Sequence, residues 1–343
     1  MSWIITRLHH IRKTPHAARL LQGTVSANEA ASTVAQATGS ESKVSMAAIK
    51  ELRSRTGAPI AAVKKALEEE NGNIEASIDL LRKLGASMIA KKAHREASEG
   101  LVSIAISEDK RTASIIEMNS ETDFVARTSQ FGELVRSVTH SALSLASQNS
   151  ADVYNIPLEH LLHGKNNDLH SSAVSSLGEN IVLKRASLIS VSENSGAIYG
   201  YVHGSVRENS GKIGVLVALN GSHTQDIGRR LAMHIAAAAP SYLTVDSIPD
   251  AHLEKERLVL SEAARVNNKA EDAPKSSLIL DRIVSGRLKK WFSEVVLMEQ
   301  EMLVEDPLYQ GKPRSVCSSI RSVSKDTAIQ GFLRFSIGEK VDN

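Results

Sequence analysis

The strongest constraint on the fold is a pattern of two alternating segments and a helix that occurs twice in the chain. In the first copy, residues 101–106 and 112–118 alternate between apolar and polar side chains about a Ser-Glu-Asp-Lys turn, which predicts a β-hairpin. Residues 197–204 and 212–221 form the same pattern about a second polar turn. An amphipathic helix is predicted after each hairpin. Because each sheet needs a helical layer over one face, the repeat predicts an α+β core of two related subdomains.

Each of the two predicted helices carries one apolar face. In the first helix this face consists of Phe131, Leu134, Val135, Val138, Ala142 and Leu145. In the second helix it consists of Ile227, Leu231, His234, Ile235 and Ala238. A histidine within an apolar stripe is more often a satisfied core residue than a catalyst, and this is the first interpretation of His234.

The repeats also set the boundaries of the core. We expect core subdomain 1 at residues 98–179 and core subdomain 2 at residues 180–343. Residues 180–190 are apolar enough to add a strand to the second sheet. Two helical patterns within about residues 251–291 predict a helical hairpin in subdomain 2, and the alternation of residues 329–338 predicts a final strand. The Ser- and Asn-rich stretch before residue 180 gives no clear pattern.

Residues 1–43 differ in composition from the rest of the chain. Before Glu29 there is no acidic residue, and basic residues alternate with apolar ones. This composition is typical of a mitochondrial presequence, and the Ser- and Ala-rich stretch that follows is typical of a linker. A disordered tail of chance composition is the alternative. We therefore expect a presequence and linker at residues 1–43 and a protein of the mitochondrial matrix.

Residues 45–86 predict a compact module of three short helices. Ser45 and Asn73 are suitable N-caps, Gly57 is a suitable helix end, and Pro59 suits the first turn of the second helix. The apolar face of that second helix consists of Ile60, Val63, Ala66 and Leu67. The module resembles the ubiquitin-associated domain, a type of bundle that binds partners more often than it catalyses reactions.

Signatures of enzymes and of bound cofactors are missing from the sequence. It contains no GxxxxGK[ST] phosphate loop, no GxSxG turn and no HExxH metal pair. Cys317 is the single cysteine, so neither an internal disulfide nor a thiolate zinc site is expected. A net charge of +2 argues against a basic nucleic-acid surface, and no apolar run is long enough for a membrane span. We expect no catalytic residue, no cofactor and no metal.

The segment NSETDFVAR, residues 119–127, places an aromatic residue in a polar turn. The chain has only five phenylalanines, and a buried one usually lies in a strand or on the apolar face of a helix. Phe124 lies beside Asp123 instead, which favours a contact with another molecule. An enzyme in which Asp123 and His234 form an acid–base pair is a further alternative, and it requires both side chains to reach one substrate atom.

This segment closely resembles the signature loop of the elongation factor Ts family, the guanine-nucleotide exchange factors of bacterial-type elongation factor Tu. The resemblance includes the preceding IIEM and the following Phe131, and it continues in residues 50–86, 231–240, 286–300 and 331–339. It therefore extends from about Ser45 to Glu339. With the composition of the first 43 residues, it indicates a family member of the mitochondrial type.

The resemblance implies a mechanism without covalent chemistry. Thr122, Asp123, Phe124 and Val125 would contact mitochondrial elongation factor Tu in its nucleotide-free or GDP-bound state. The Phe124 ring would enter between two helices of the partner's nucleotide domain and disturb the magnesium and phosphate site. GDP would then leave and GTP could bind.

The resemblance also implies contacts away from the loop. Arg53 and Ile60 would dock beside the guanine-binding part of the partner. His234 matches a family histidine near the contact with the partner's phosphate loop, an interpretation that competes with that of a core histidine. A ubiquitin-binding adaptor acting through the three-helix module is the alternative function.

Overall fold

The computed structural model describes most of the chain after residue 43. The described residues are 44–146, 153–191, 196–221, 224–269, 277–304 and 309–340. The predicted presequence lies outside them and stays a prediction, as does the division of the chain into domains. Within the described ranges, no helix is both long enough and apolar enough to cross a membrane.

The N-terminal part consists of three helices, α1 (Met46–Thr56), α2 (Ile60–Glu69) and α3 (Ile74–Lys92). The predicted caps are present, since Ser45 Oγ and Asn73 Oδ1 each accept a backbone N–H of the first turn at 3.1 Å. The chain leaves α1 through Gly57 at φ 66°, a left-handed conformation that glycine adopts without strain. The core of this bundle is made of Leu52, Ala58, Val63 and Leu67.

One expectation for this region is wrong in detail. Ile60 is 53% exposed rather than buried with the apolar face, because it lies at the very start of α2, outside the cluster that forms the core of the bundle. α3 extends to Lys92, and a further helix, α6 (Gly164–Leu177), packs along it.

The first sheet has five antiparallel strands in the order β3-β4-β2-β1-β6. Its predicted hairpin is confirmed, with Ile106 opposite Ala113 beside the turn. The strands are β1 (Glu99–Ile106), β2 (Thr112–Ser120), β3 (Val153–Asn155), β4 (Ile181–Ser190) and β6 (Ser210–Gly211). A short helix, α4 (Asp123–Ala126), and the predicted amphipathic helix, α5 (Ser129–Ser144), follow the hairpin.

The expected place of residues 180–190 is wrong. They form β4, which pairs with β2 in the first sheet and not with the second sheet. Leu183, Ala186 and Leu188 pack into the apolar cluster beneath α5, and this burial accounts for the pairing. β4 is therefore part of the sheet that carries the first hairpin.

The second sheet has three antiparallel strands in the order β5-β7-β8. These are β5 (Gly196–His203), β7 (Ile213–Asn220) and β8 (Ala328–Ser336), so the second hairpin and the final strand are confirmed. The helix α7 (Gln225–Ala238) covers this sheet, with Ile227, Leu231 and Ile235 in its apolar cluster.

The two sheets pack face to face. Val102, Ile104 and Ile115 of the first sheet share one apolar cluster with Leu216 and Phe335 of the second. Side chains alternate along a strand, so the neighbouring residues point to the opposite face, where α5 and α6 cover the first sheet and α7 covers the second. Burial on both faces explains the long apolar runs in β1, β2 and β7. The α+β class expected from the sequence is confirmed.

The remaining helices follow the second hairpin. α8 (Asp250–Lys269) and α9 (Ser277–Val295) pack against each other as the predicted helical hairpin, and α10 (Val316–Arg321) contributes Val316 and Ile320 to the cluster under α7.

Candidate partner-binding site

The turn after β2 gives Phe124 its position. Ser120 Oγ donates to the backbone oxygen of Thr122 at 2.9 Å and so reverses the chain at the end of the strand. Thr122 then caps α4, with its Oγ1 accepting the N–H of Val125 at 3.4 Å. Asp123 lies in the first turn, where a carboxylate interacts favourably with the helix dipole.

α4 has one buried side and one exposed side. Val125 and Ala126 pack into the cluster beneath α5, at 7% and 2% exposure. The ring of Phe124 points the other way and is 78% exposed. Full burial of such a side chain is worth about 1.5–3 kcal/mol. Because its ring is exposed, Phe124 does not contribute this stabilisation to the fold. Such exposure is expected of a residue that binds a partner.

Charged residues lie close to Phe124 in the chain and contact one another. The Asp123 carboxylate lies 3.4 Å from Arg127 Nε, and Arg207 Nη2 donates to the backbone oxygen of Arg127 at 2.8 Å. The arrangement can therefore offer an apolar contact from Phe124 and polar contacts from Asp123 at its rim.

A glutamate that sequence reasoning missed supports the turn. Glu179, in the connection between α6 and β4, accepts the N–H of Thr122 at 3.0 Å and the Thr122 hydroxyl at 2.6 Å. Nothing local in the sequence indicates this contact, because the two residues lie on segments that only the folded sheet brings together.

Arg53 and Ile60 lie on a second surface, on the three-helix bundle. Together with Met46, Ile49, Lys50 and Ser54 they line a shallow depression of about 540 Å³. Ile60 is half-exposed and Met46 is 78% exposed, so the depression presents apolar groups beside two cations. The structure thus brings these two predicted site residues together, on elements separate from α4.

His234 does not reach a surface in this structure. Its side chain is fully buried, the N–H of Leu303 donates to Nδ1 at 3.2 Å, and Nε2 lies 3.0 Å from Gln300 Oε1. The neutral ring therefore carries its proton on Nε2, and burial lowers the pKa of His234 below its ordinary value. With both ring nitrogens engaged, His234 has none free for an acid–base pair with Asp123.

Comparisons with a family model and with individual proteins all identify the same family. Residues 121–339 match the family model described as Elongation factor TS. The elongation factor Ts of Paracoccus denitrificans is 36% identical over 303 residues, which cover 87% of this chain and 94% of the relative. The elongation factors Ts of Rhodospirillum centenum and Zymomonas mobilis are each 37% identical, over 312 and 308 residues, covering 88% of this chain and 94% of each relative. These comparisons give no support to a ubiquitin-binding adaptor.

Proposed function

The chain belongs to the elongation factor Ts family, and on that premise we propose that it promotes the release of GDP from elongation factor Tu during translation. The single observation that carries the proposal is the exposed ring of Phe124 on a short helix whose other side is anchored in the core. A ring presented in this way can enter a pocket of a partner without rearranging its own fold.

In the proposed mechanism, Phe124 enters between two helices of the partner's nucleotide domain. Asp123 accepts hydrogen bonds at the rim, while Thr122 and Val125 hold the backbone of the turn. Displacing those helices weakens the contacts of GDP with the magnesium and phosphate site, so GDP dissociates and GTP can bind. Linkage then requires that GDP weaken the binding of this protein by the same factor by which this protein weakens the binding of GDP. No covalent step is involved.

A second contact would make the insertion effective. We propose that the depression lined by Arg53 and Ile60 docks beside the guanine-binding part of the partner. Two linked contacts raise the effective concentration of each, so even a weak one adds to the overall affinity. His234 would act from inside the fold, by fixing α7 against residues 300–303 through Gln300 and Leu303.

We further propose that the protein acts in the mitochondrial matrix on the mitochondrial form of elongation factor Tu. This rests on the acid-free, basic and apolar composition of the first residues. N-terminal sequencing of the protein recovered from mitochondria after import of the full chain tests it. Recovery only outside mitochondria, with residues 1–43 intact, would contradict it.

The proposed function is tested by stopped-flow release of a fluorescent GDP analogue from elongation factor Tu, with excess unlabelled GDP as the trap. We expect the release rate to rise with the concentration of this protein and to reach a plateau. An unchanged rate at micromolar concentrations would contradict the proposal.

A further inference from the structure

We propose that Glu179 is a positioning residue for nucleotide exchange, which holds the turn 121–124 in the shape that presents the Phe124 ring. The inference rests on the proposed function, since it assigns Glu179 a role through Phe124. Glu179 itself need not touch the partner.

The turn needs such support because α4 is too short to persist alone. A helix of four residues has its first N–H groups unpaired, and isolated helices below about 12 residues are marginal in water. The cap by Thr122 Oγ1 is long, at 3.4 Å from the N–H of Val125. Burial of Val125 and Ala126 anchors one side of α4 but leaves the start of the helix to be fixed by other groups.

Glu179 supplies these missing contacts. Its two carboxylate oxygens each take one donor of Thr122, Oε2 the backbone N–H at 3.0 Å and Oε1 the hydroxyl at 2.6 Å. Hydrogen bonds to a carboxylate are about twice as strong as those between neutral groups. Two of them on one residue fix both the backbone and the side-chain rotamer of the cap.

The connection that carries Glu179 is itself fixed. α6 is followed by Gly178, whose φ of 75° is the left-handed conformation that commonly ends a helix, and Lys92 Nζ donates to the Gly178 backbone oxygen. A second hydrogen bond joins the same two segments in the opposite direction, because Glu121 of the turn accepts the N–H of Asn180 at 2.6 Å. The two segments therefore exchange carboxylate-to-backbone bonds.

The end of the three-helix bundle joins the same network. Arg95, just after α3, lies 3.5 Å from Glu121 Oε1, and its backbone oxygen accepts Asn180 Nδ2 at 2.7 Å. Asn180 is buried. Arg95 therefore contacts both the turn, through Glu121, and the connection that carries Glu179, through Asn180.

Removing Glu179 should change how the rate of GDP release depends on the concentration of this protein. Without Glu179 the turn samples other shapes, and only the fraction in the competent shape can bind, which raises the apparent dissociation constant by the inverse of that fraction. Ordering one backbone residue costs about 1–2 kcal/mol, which corresponds to roughly 5- to 30-fold. For Glu179→Ala we therefore expect at least about a fivefold rise in the half-saturating concentration, with the plateau rate of GDP release largely kept.

The test is a double-mutant cycle between Glu179 and Phe124, measured by release of fluorescent GDP from elongation factor Tu. Wild type, Glu179→Ala, Phe124→Ala and the double variant of the full chain are titrated. If Glu179 acts through Phe124, Glu179→Ala has a clearly smaller effect once Phe124 is alanine, because only the contacts of Asp123 then still depend on the shape of the turn. Glu108→Ala, which removes an exposed glutamate from the turn between β1 and β2, is the matched control and should equal wild type.

Circular dichroism of each variant separates positioning from folding. If Glu179→Ala lowers the melting temperature strongly, Glu179→Gln replaces it in the cycle, because the amide keeps the size but not the charge. A loss that is the same in both Phe124 backgrounds would overturn the positioning role while leaving the proposed function intact. A wild-type chain that leaves GDP release unchanged would overturn the proposed function and the role of Glu179 with it.

Discussion

Phe124 in α4 and Phe131 in α5 have side chains in opposite environments, although only a short connection separates the two helices. The ring of Phe131 is fully buried in the cluster between α5 and the first sheet, whereas the ring of Phe124 is 78% exposed. Two residues of one type, close in sequence, thus differ in whether the ring contributes to the core.

Alanine substitution of the two rings should therefore affect stability very differently. We expect Phe131→Ala to lower the free energy of unfolding by about 3–5 kcal/mol, because it leaves a cavity in the core. Phe124→Ala should change it by less than about 0.5 kcal/mol, as surface substitutions usually do. Urea denaturation followed by circular dichroism measures both. Equal destabilisation by the two substitutions would mean that Phe124 is a core residue in solution.

The buried histidines predict a pH dependence of stability. Burial lowers the pKa of His234 and His170 below the ordinary value, so the unfolded chain binds protons on them at a higher pH than the folded chain does. Their contribution is complete above about pH 6.5 and is lost as the pH falls below it. We expect the free energy of unfolding to fall between pH 6.5 and pH 5.5 by up to about 1.4 kcal/mol for each histidine.

Substitution identifies the residues responsible for this slope. His234→Gln removes one titrating group, so urea denaturation at pH 7.5, 6.5 and 5.5 should give a shallower pH dependence whatever the stability at pH 7.5. His170→Gln removes the other such group and should likewise give a shallower pH dependence. An equal slope in wild type and His234→Gln would contradict the prediction.

Gly85 allows α3 to pack against α6. A Cβ at this position would lie 2.7 Å from Ser171 Cβ, whereas a Cβ at Gly286 in α9 would meet nothing within 4 Å. We expect Gly286→Ala to stabilise its helix by about 0.5–1 kcal/mol, because alanine has the higher helix propensity. Gly85→Ala should instead destabilise the protein by about 1–3 kcal/mol through overpacking. Thermal unfolding of both variants measures these changes in stability. A stabilising Gly85→Ala would contradict the close packing of α3 against α6 at this position.

Glu117 is a fully buried carboxylate in β2 that depends on its cations. Its Oε2 lies 2.6 Å from Arg185 Nε and its Oε1 lies 3.4 Å from Lys184 Nζ. Breaking a buried pair by neutralising one partner costs about 3–5 kcal/mol, so Glu117→Gln should lower the free energy of unfolding by about that amount. The control is Glu68→Gln in the exposed pair with Lys64, where we expect a change below about 1 kcal/mol. Similar effects in urea denaturation would contradict the prediction.

The elements of the fold could be predicted because their causes are local. Alternation in residues 101–106 and 112–118 predicts the first hairpin, and Ser45 and Asn73 cap the helices that they are expected to cap. α6 could not be predicted, because its polar sequence rich in serine gives little helical periodicity. Its apolar contacts are supplied by elements distant in sequence.

Contacts between distant elements could not be predicted either, because no local pattern in the sequence specifies them. The pattern of residues 180–190 indicates a strand but cannot name its neighbour, and that neighbour is β2. Periodicity placed Ile60 in a core that does not extend to the start of α2. For the candidate site, the sequence marked Phe124 as unusual, whereas the support from Glu179 depends on a contact between distant segments.

The most direct measurement is the plateau rate of fluorescent GDP release from elongation factor Tu, compared between wild type, Phe124→Ala and Tyr154→Ala. Tyr154, on β3, is a second exposed aromatic residue, at 53% exposure, and serves as the matched control. We predict that wild type and Tyr154→Ala accelerate release to the same plateau, and that Phe124→Ala, although folded, reaches a plateau at least about tenfold lower, since a lost contact of 1.4 kcal/mol or more corresponds to that factor. Acceleration by Phe124→Ala equal to that by wild type would contradict the account.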